Sequence, residues 1–167
     1  MEAVILVGIQ ASGKTTFYRE RFFETHVRIS RDMLRTRRRE ELLVRACIEG
    51  KQPFVVDNTN VLAEERARYV GPARAAGFRV VCYFFRTETR AAIARNRLRT
   101  GKAVVPIAGL LGTYKRLQEP RLDEGFHAIY AVTLTPDNQY VVEELPRRSG
   151  LQPPEGGPEG APGSTSR

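Results

Sequence analysis

The residues best suited to chemistry lie near the start of the sequence. An apolar stretch at 4–7 predicts a buried strand, and it runs directly into Gly8-x-x-x-x-Gly13-Lys14-Thr15. The two glycines allow a tight turn whose backbone N–H groups face phosphate oxygens, and the following helix directs its positive end at the same anion. Lys14 can reach the β- and γ-phosphates, and the Thr15 hydroxyl can ligate Mg²⁺. The pattern therefore predicts a site for ATP and Mg²⁺.

Two acids follow predicted strands. Asp57 ends the apolar stretch 54–57. In a fold with a phosphate loop, the ligand lies beyond the carboxyl ends of the strands, so Asp57 is placed to hold Mg²⁺ or its water together with Thr15. The alternative is an aspartate that only turns the chain, helped by Asn58 and Thr59.

Asp32 is the second acid, and it lies at the start of a predicted helix over 31–49. Its carboxylate could accept a proton from an attacking hydroxyl, or it could only stabilise the helix dipole, and the residues alone leave both open. Arg35 follows at i+3, on the same predicted helix face, and a guanidinium fits the phosphate of an acceptor substrate. Arg31, Asn58 and Thr59 are further candidates for the acceptor side.

An arginine-rich segment lies in the second half of the chain. Residues 86–121 contain nine Lys or Arg against two Glu. Arg95 and Arg99 are four residues apart, which places them on one face of a helix predicted over 88–100. The predicted apolar residues beside them are Ala91, Ala94 and Leu98. The segment is either a mobile lid that offsets charge on a triphosphate or a basic helix in solvent.

Composition and charge narrow the classes of protein. The chain has 167 residues, which suits one domain, and its net charge of +8 favours a polyanionic partner unless the arginines reflect genome composition. Cys47 and Cys82 lie in apolar surroundings, which predicts reduced core residues with no disulfide in a cytoplasmic protein. No signal peptide is expected, and the longest nearly apolar stretch, 103–112, is too short to cross a membrane.

Strand and helix signals alternate along the chain. Strands are predicted at 4–7, 26–29, 54–57, 78–85, 128–134 and 140–144, and helices at 16–24, 31–49, 63–76, 88–100 and 106–119. This order predicts an α/β fold of the P-loop NTPase type, similar to adenylate kinase, with a parallel sheet, helices on both faces and an arginine-rich helical lid. Twelve of the nineteen residues in 149–167 are Gly, Pro or Ser, so a disordered tail is expected after a kinase domain over 1–148.

Several of these segments resemble one family when they are taken in order. They are the phosphate loop, Ser30-Arg31-Asp32 with Arg35, Val56-Asp57-Asn58-Thr59-Asn60, and Arg95-Asn96-Arg97-Leu98-Arg99-Thr100-Gly101-Lys102-Ala103-Val104-Val105-Pro106. Over residues 3–133 the chain resembles the polynucleotide 5′-hydroxyl kinases, most closely the kinase module of polynucleotide kinase–phosphatases. The phosphate loop is common to many NTPases, whereas the other three segments are more selective.

The resemblance implies transfer of the ATP γ-phosphate to the 5′-OH end of DNA or RNA, in nucleic-acid repair. It implies that Asp32 is the general base, that Arg35 holds a substrate phosphate, and that Asp57 is the acid of the Asp-Asn-Thr-Asn segment. Lys14, Thr15 and the lid residues Arg99 and Arg95 would hold ATP and Mg²⁺. No Asp-x-Asp-x-Thr phosphatase motif occurs in the sequence, so a kinase alone is expected.

The nucleotide-binding residues expected in total are Gly8, Ala11, Ser12, Gly13, Lys14, Thr15, Thr16, Arg95 and Arg99. Two alternative functions stay open. One is a phosphotransferase that acts on a small alcohol such as a sugar or a drug. The other is a module that senses ATP and binds nucleic acid without chemistry. The Asp32 and Arg35 pair and the basic lid favour the nucleic-acid kinase, because a small neutral acceptor requires neither.

Overall fold

A single six-stranded sheet forms the centre of the molecule. The computed structural model describes residues 1–146. The strands are β1 (Glu2–Val7), β2 (Val27–Ile29), β3 (Phe54–Asp57), β4 (Arg79–Phe85), β5 (Ala128–Leu134) and β6 (Tyr140–Glu144), in the order β2-β3-β1-β4-β5-β6. The first five are parallel, and β6 is antiparallel to β5 because a short turn returns the chain beside it. The predicted α/β fold is confirmed, with a mixed sheet. The predicted tail at 149–167 lies outside the described residues.

Helices cover both faces of the sheet, as predicted. They are α1 (Lys14–Arg21), α2 (Arg31–Leu34), α3 (Arg37–Glu49), α4 (Ala63–Ala75), α5 (Thr89–Arg97) and α6 (Ile107–Arg116), with short 3₁₀ turns at Gly101–Ala103 and Leu122–Glu124. Alternate residues of β1 face opposite layers: Ile5 packs with the core under α3 and α4, and Leu6 packs with the core under α1. Because both faces are covered, the central strands are apolar throughout.

Two large apolar residues in the segments predicted as helices over 16–24 and 31–49 are exposed. Phe17 and Phe22 are buried, but Phe23 is 63% exposed because α1 has already ended at Arg21. On α3, Val44 is buried and Leu42 is 51% exposed. Two residues along a helix correspond to about 200° of rotation, so Leu42 and Val44 cannot both face the sheet.

The helix predicted over 31–49 is broken into α2 and α3. Arg35 takes the left-handed region at φ 70°, and Thr36 becomes the N-cap of α3. The Thr36 hydroxyl accepts a hydrogen bond from the Arg39 N–H at 3.3 Å, which is the role that threonine favours at a helix start. The prediction that Asp32 and Arg35 share one face of a single helix was therefore wrong.

The arginine-rich segment is also less helical than predicted. Helix α5 ends at Arg97, so Arg95 lies in the helix and Arg99 lies in the turn after it. Leu98 is 84% exposed and was wrongly assigned to the apolar side. That side is formed by Ala92, which packs with Leu110 of α6 and with Ile9 of the loop after β1. Helices α5 and α6 thus pack directly against the phosphate loop.

The two cysteines lie in the sheet core, as the sequence suggested. Cys47 faces inward from α3 and Cys82 lies in β4, and burial raises the pKa of both thiols. None of the helices within residues 1–146 combines the length and the apolar character that crossing a membrane requires.

Candidate active site

The loop between β1 and α1 is packed tightly against neighbouring strands. A Cβ atom on Gly8 would lie 2.9 Å from the Phe85 Cβ, and one on Gly13 would lie 3.0 Å from the Tyr140 hydroxyl oxygen. Gly13 also has φ 94°, which L side chains rarely adopt. The Gly8 N–H donates to the Thr59 carbonyl at 2.9 Å, which joins the loop to the end of β3. Both glycines are therefore required by the packing of the loop.

Lys14 lies under this loop with its ammonium group buried. Its Nζ donates to the carbonyls of Gly8 and Ile9 at 3.0 and 2.6 Å and to the Ser12 hydroxyl at 3.2 Å. Burial lowers the pKa of Lys14 to about 8; Arg99 adds to this effect, while Asp57 and Asp32 oppose it. The site thus holds a cation that a bound phosphate would stabilise.

Thr15 and Asp57 meet beside the loop. The Thr15 hydroxyl donates to Asp57 Oδ2 at 2.8 Å, and Arg28 Nε donates to the same oxygen at 2.8 Å. Arg28 Nη2 lies 2.6 Å from that oxygen in an ion pair. The Asp57 residue is 6% exposed. Arg28, which lies in β2, was not among the predicted site residues. Asp57 therefore bridges the phosphate loop and β2, and it does more than turn the chain.

The Thr15 and Asp57 oxygens fit the chemistry of Mg²⁺. A hydroxyl and a carboxylate oxygen 2.8 Å apart are hard ligands of the kind Mg²⁺ prefers. Within residues 1–146, no group of three or more His, Cys, Asp or Glu side chains could hold a metal ion. With Thr15 and Asp57 as protein ligands, a bound Mg²⁺ would take its other ligands from nucleotide phosphates and water, which is its usual mode of binding in kinases.

Asp32 lies in the first turn of α2. Its side chain is exposed, and no hydrogen bond or ion pair within residues 1–146 holds its carboxylate. The preceding Arg31 N–H donates to Asn58 Oδ1 at 2.9 Å, which ties the start of α2 to the end of β3. Asp32 is thus held through the backbone of its neighbour Arg31, while its carboxylate is unpaired among the described residues.

A cavity of about 1010 Å³ connects these features. Most of the predicted site residues line it: Ala11, Ser12, Gly13, Lys14, Thr15, Thr16, Arg31, Asp32, Arg35, Asp57, Asn58, Thr59 and Arg99. Gly8 and Arg95 do not. The Arg95 Nε instead donates to the Ala11 carbonyl at 2.7 Å, so this arginine supports the phosphate loop. The structure brings the predicted residues together, and their individual roles remain predictions.

The lining of the cavity is strongly basic. Six arginines and Lys14 face three acids, namely Asp32, Asp57 and Glu65. The arginines are Arg19, Arg28, Arg31, Arg35, Arg37 and Arg99. A concave site lined by one sign of charge concentrates ligands of the opposite sign. The site therefore suits a ligand with several negative charges.

Residues 4–120 match the model of a family described as an AAA domain. The match covers well over half of the sequence. The chain belongs to this family. Its AAA domain thus contains most of β1, all of β2 to β4 and α1 to α6, together with every residue that the sequence assigned to the site.

Known proteins similar to this AAA-domain chain include kinases. A bifunctional polynucleotide phosphatase/kinase of Schizosaccharomyces pombe is 26% identical over 132 residues, which cover 75% of this chain and 32% of that protein. The chain thus spans about a third of the length of this relative. A gluconokinase of Sinorhizobium meliloti 1021 superposes with a TM-score of 0.54 at 18% identity, over 79% of this chain and 82% of the other.

Kti12 of Chaetomium thermophilum, solved in complex with ADP-AlF3, superposes with a TM-score of 0.60 at 15% identity, over 78% of this chain and 88% of the other. The two structural similarities confirm the P-loop kinase fold. A fold of this kind supports nucleotide binding and phosphotransfer in general. A fold alone does not identify a substrate.

Two residues that support the AAA-domain loop were missed by the sequence analysis. Asn60 Nδ2 donates to the Leu6 carbonyl at 2.8 Å, and the Tyr140 hydroxyl donates to the Gly13 carbonyl at 2.8 Å. Asn60 has a local signal, since it ends the Asp-Asn-Thr-Asn segment. Tyr140 has none, because it reaches the loop from β6, 127 residues away in sequence.

Proposed function

We propose that this protein is an ATP-dependent polynucleotide kinase that phosphorylates the 5′-OH end of DNA or RNA. One observation carries the proposal: the free carboxylate of Asp32 opens into the same arginine-lined cavity as the phosphate loop. Of the other two acids that line the cavity, Asp57 is engaged by Thr15 and Arg28. Glu65 accepts a backbone hydrogen bond at the start of α4. Asp32 is thus the group available to accept a proton.

In the proposed reaction, Asp32 takes the proton of the 5′-OH as its oxygen attacks the γ-phosphorus. A new P–O bond forms, the bond to the β–γ bridging oxygen breaks, and ADP leaves with that electron pair. Lys14 and Arg99 offset the negative charge on the transferring group. Mg²⁺ held by Thr15 and Asp57 would add charge stabilisation on the phosphate oxygens.

The acceptor is proposed to carry phosphates of its own. Arg31 and Arg35 line the cavity on the side of Asp32, and a guanidinium pairs with phosphate through two hydrogen bonds. Arg35 has φ 70°, a strained conformation for a residue other than glycine. Strain of this kind is common where a side chain has to be aimed at a ligand. The hydroxyl of a neutral sugar would leave these arginines unused.

The Schizosaccharomyces pombe relative supports the same acceptor. That protein is named as a polynucleotide kinase as well as a phosphatase, and its similarity to this chain extends over 132 residues, far beyond the phosphate loop alone. Because this chain spans a third of that protein, the proposal concerns its kinase activity alone. A role in nucleic-acid repair is part of the same proposal.

An end-labelling assay tests this function. The protein is incubated with γ-labelled ATP, Mg²⁺ and a 5′-OH oligonucleotide of DNA or RNA, and label on the strand is measured. The matched control is the same oligonucleotide with a 5′-phosphate, which has no hydroxyl to accept the group and should stay unlabelled. Transfer to gluconate or another small alcohol, with no transfer to either strand, would refute the proposal and select a small-molecule kinase.

A further inference from the structure

A buried acid lies behind the acceptor side of the cavity. Glu40, on α3, is 1% exposed, and its Oε1 accepts hydrogen bonds from the Tyr69 hydroxyl and, at 3.0 Å, from Asn58 Nδ2. Its other oxygen has no hydrogen-bond partner within residues 1–146 and lies 3.9 Å from Arg31 Nε. Burying a carboxylate is costly. Filling space between two helices would require only an apolar residue there.

The contacts of Asn58 indicate the role of Glu40, which determines which end of the Asn58 amide faces inward. An asparagine side chain has a donor end and an acceptor end, whereas a carboxylate can only accept. With Glu40 Oε1 on one side, Asn58 has to turn its nitrogen inward, where the Tyr69 oxygen also lies 3.4 Å from it. Asn58 Oδ1 must then face outward, and it accepts the Arg31 N–H at 2.9 Å.

The Arg31 N–H belongs to the first residue of α2, directly before Asp32. This helix has only four residues, and its N-cap, Ser30, makes no side-chain capping bond. A helix so short is not stable without outside contacts. The hydrogen bond that the Arg31 N–H donates to Asn58 therefore helps to fix where α2 starts and where the Asp32 carboxylate lies.

We propose that Glu40 and Tyr69 are positioning residues that orient Asn58, and that Asn58 in turn holds the start of α2 so that Asp32 points into the cavity. Neither Glu40 nor Tyr69 has to touch the acceptor for this role. The inference rests on the proposed function for the part played by Asp32. The chain of hydrogen bonds from Glu40 to the Arg31 N–H does not depend on the identity of the acceptor.

The chain of hydrogen bonds from Glu40 through Asn58 to the Arg31 N–H, here termed the relay, is tested by exchanging its donor and acceptor groups and measuring kinetics. In Asn58→Asp, two carboxylates face each other, so kcat with the 5′-OH oligonucleotide should fall by about 30-fold while the KM for ATP stays unchanged. Glu40→Gln alone should lose about 3-fold or less, since its amide oxygen can still accept. When both substitutions are combined, the new amide on α3 can donate to the new carboxylate, so kcat should return to within about 5-fold of the parent.

A second measurement needs no acceptor. Amide hydrogen exchange of the α2 segment reports whether the Arg31 N–H is still bonded. Glu40→Ala and Tyr69→Phe should each speed exchange there, and the double variant above should restore slow exchange. Glu41→Gln is the matched control, because Glu41 is the exposed neighbour on the same helix and should change neither exchange nor kcat.

These results separate the relay from the proposed function. Unchanged exchange in Glu40→Ala, or no recovery in the double variant, would overturn the relay even if the protein is a polynucleotide kinase. A parallel rise in the KM for ATP and loss of thermal stability in Asn58→Asp, without rescue, would show a role in folding only, and would also overturn it. If the parent labels no oligonucleotide, the exchange pattern alone decides the relay.

Discussion

Two carboxylates that look alike in the sequence occupy different environments in the cavity. Asp57 is buried and bonded by Thr15 and Arg28, whereas Asp32 is exposed and unpaired among the residues described. The environment of a carboxyl group decides whether it binds a cation or exchanges a proton. The sequence suggested the two roles from strand and helix positions, but Arg28 gave no signal because its partner lies 29 residues away.

Arg35 gives a prediction in which stability and function diverge. Arg35→Gly removes the cost of φ 70°, so the free energy of unfolding should stay level or rise by about 1 kcal/mol. The variant also removes the proposed phosphate contact, so the KM for the 5′-OH oligonucleotide should rise about 10-fold with the KM for ATP unchanged. Urea unfolding and steady-state kinetics measure the two effects. A rise in the KM for ATP with no change in the KM for the oligonucleotide would show that Arg35 contacts the nucleotide and not the acceptor.

Lys14 gives a prediction for pH dependence. Its pKa is lowered to about 8 in the free protein, and a bound triphosphate favours the charged form. Above pH 8, ATP binding should therefore take up a proton and weaken as pH rises, whereas near pH 6.5 Lys14 is already charged. In the absence of ligand, the free energy of unfolding has the opposite pH dependence. The cost of burying the charged Lys14 is present below pH 8, and it is relieved as pH rises from 8 towards 10.5, the ordinary pKa of lysine.

Calorimetry at pH 8.5 in two buffers of different ionisation enthalpy measures this proton uptake. Lys14→Arg is the matched control, because it keeps a positive charge that does not titrate in this range. Uptake that persists in the arginine variant would assign the proton to another group.

At the scale of elements, the strands were easier to predict than the helices. The apolar strands β3 and β4 end where the sequence pattern placed them, because their residues are buried on both faces. Helix bounds depend on capping and on contacts that a pattern does not contain. The predicted helix over 31–49 breaks at Arg35, and this break shapes the acceptor side of the cavity.

The segment after helix α5 supports the part of the cavity around Arg99, where ATP is proposed to bind. The buried Asn96 side chain accepts from the Val105 N–H at 3.0 Å and donates to the Val105 carbonyl at 2.7 Å, which closes the segment that contains Arg99. Asn96→Ala should free this segment and raise the KM for ATP about 10-fold. Arg97→Ala is the control, since it removes an exposed charge from the same helix. An equal effect in both variants would show that net charge, and not the closed turn, matters.

At the scale of the whole molecule, one buried arginine joins distant segments. Arg66 on α4 is 0% exposed and pairs with both oxygens of Glu124 at 2.6 and 2.7 Å. It also donates to the carbonyls of Asn60, Val61 and Gln118. The loop after β3, the segment after α6 and the turn before β5 are therefore held by a single side chain.

Replacing this arginine should destabilise the entire domain. Arg66→Lys cannot reproduce the two-pronged pairing, so the free energy of unfolding should fall by about 3 kcal/mol. Thermal and urea unfolding measure the loss. Arg68→Lys, an exposed position two residues along the same helix, should change stability by less than about 0.5 kcal/mol. Similar losses in both variants would contradict the role assigned to the buried pairing.

The overall architecture was predictable because one motif and one alternation of strands and helices specify it. The phosphate loop after β1 and the apolar strands were sufficient to expect helices on both faces. The long-range support of the site was not predictable in this way. Tyr140, Arg66 and Glu40 act through partners that are 127, 58 and 29 residues away, and only the folded chain brings them together.

The central claim is that Asp32 removes the proton of an acceptor bound in the same cavity as the nucleotide. The most direct measurement compares Asp32→Asn with the parent in single-turnover transfer from γ-labelled ATP to a 5′-OH oligonucleotide, alongside the Kd for ATP. We expect transfer to fall by at least about 100-fold while the Kd for ATP changes less than about 3-fold, because the amide keeps the shape but cannot accept the proton. Transfer at the parent rate would contradict the claim.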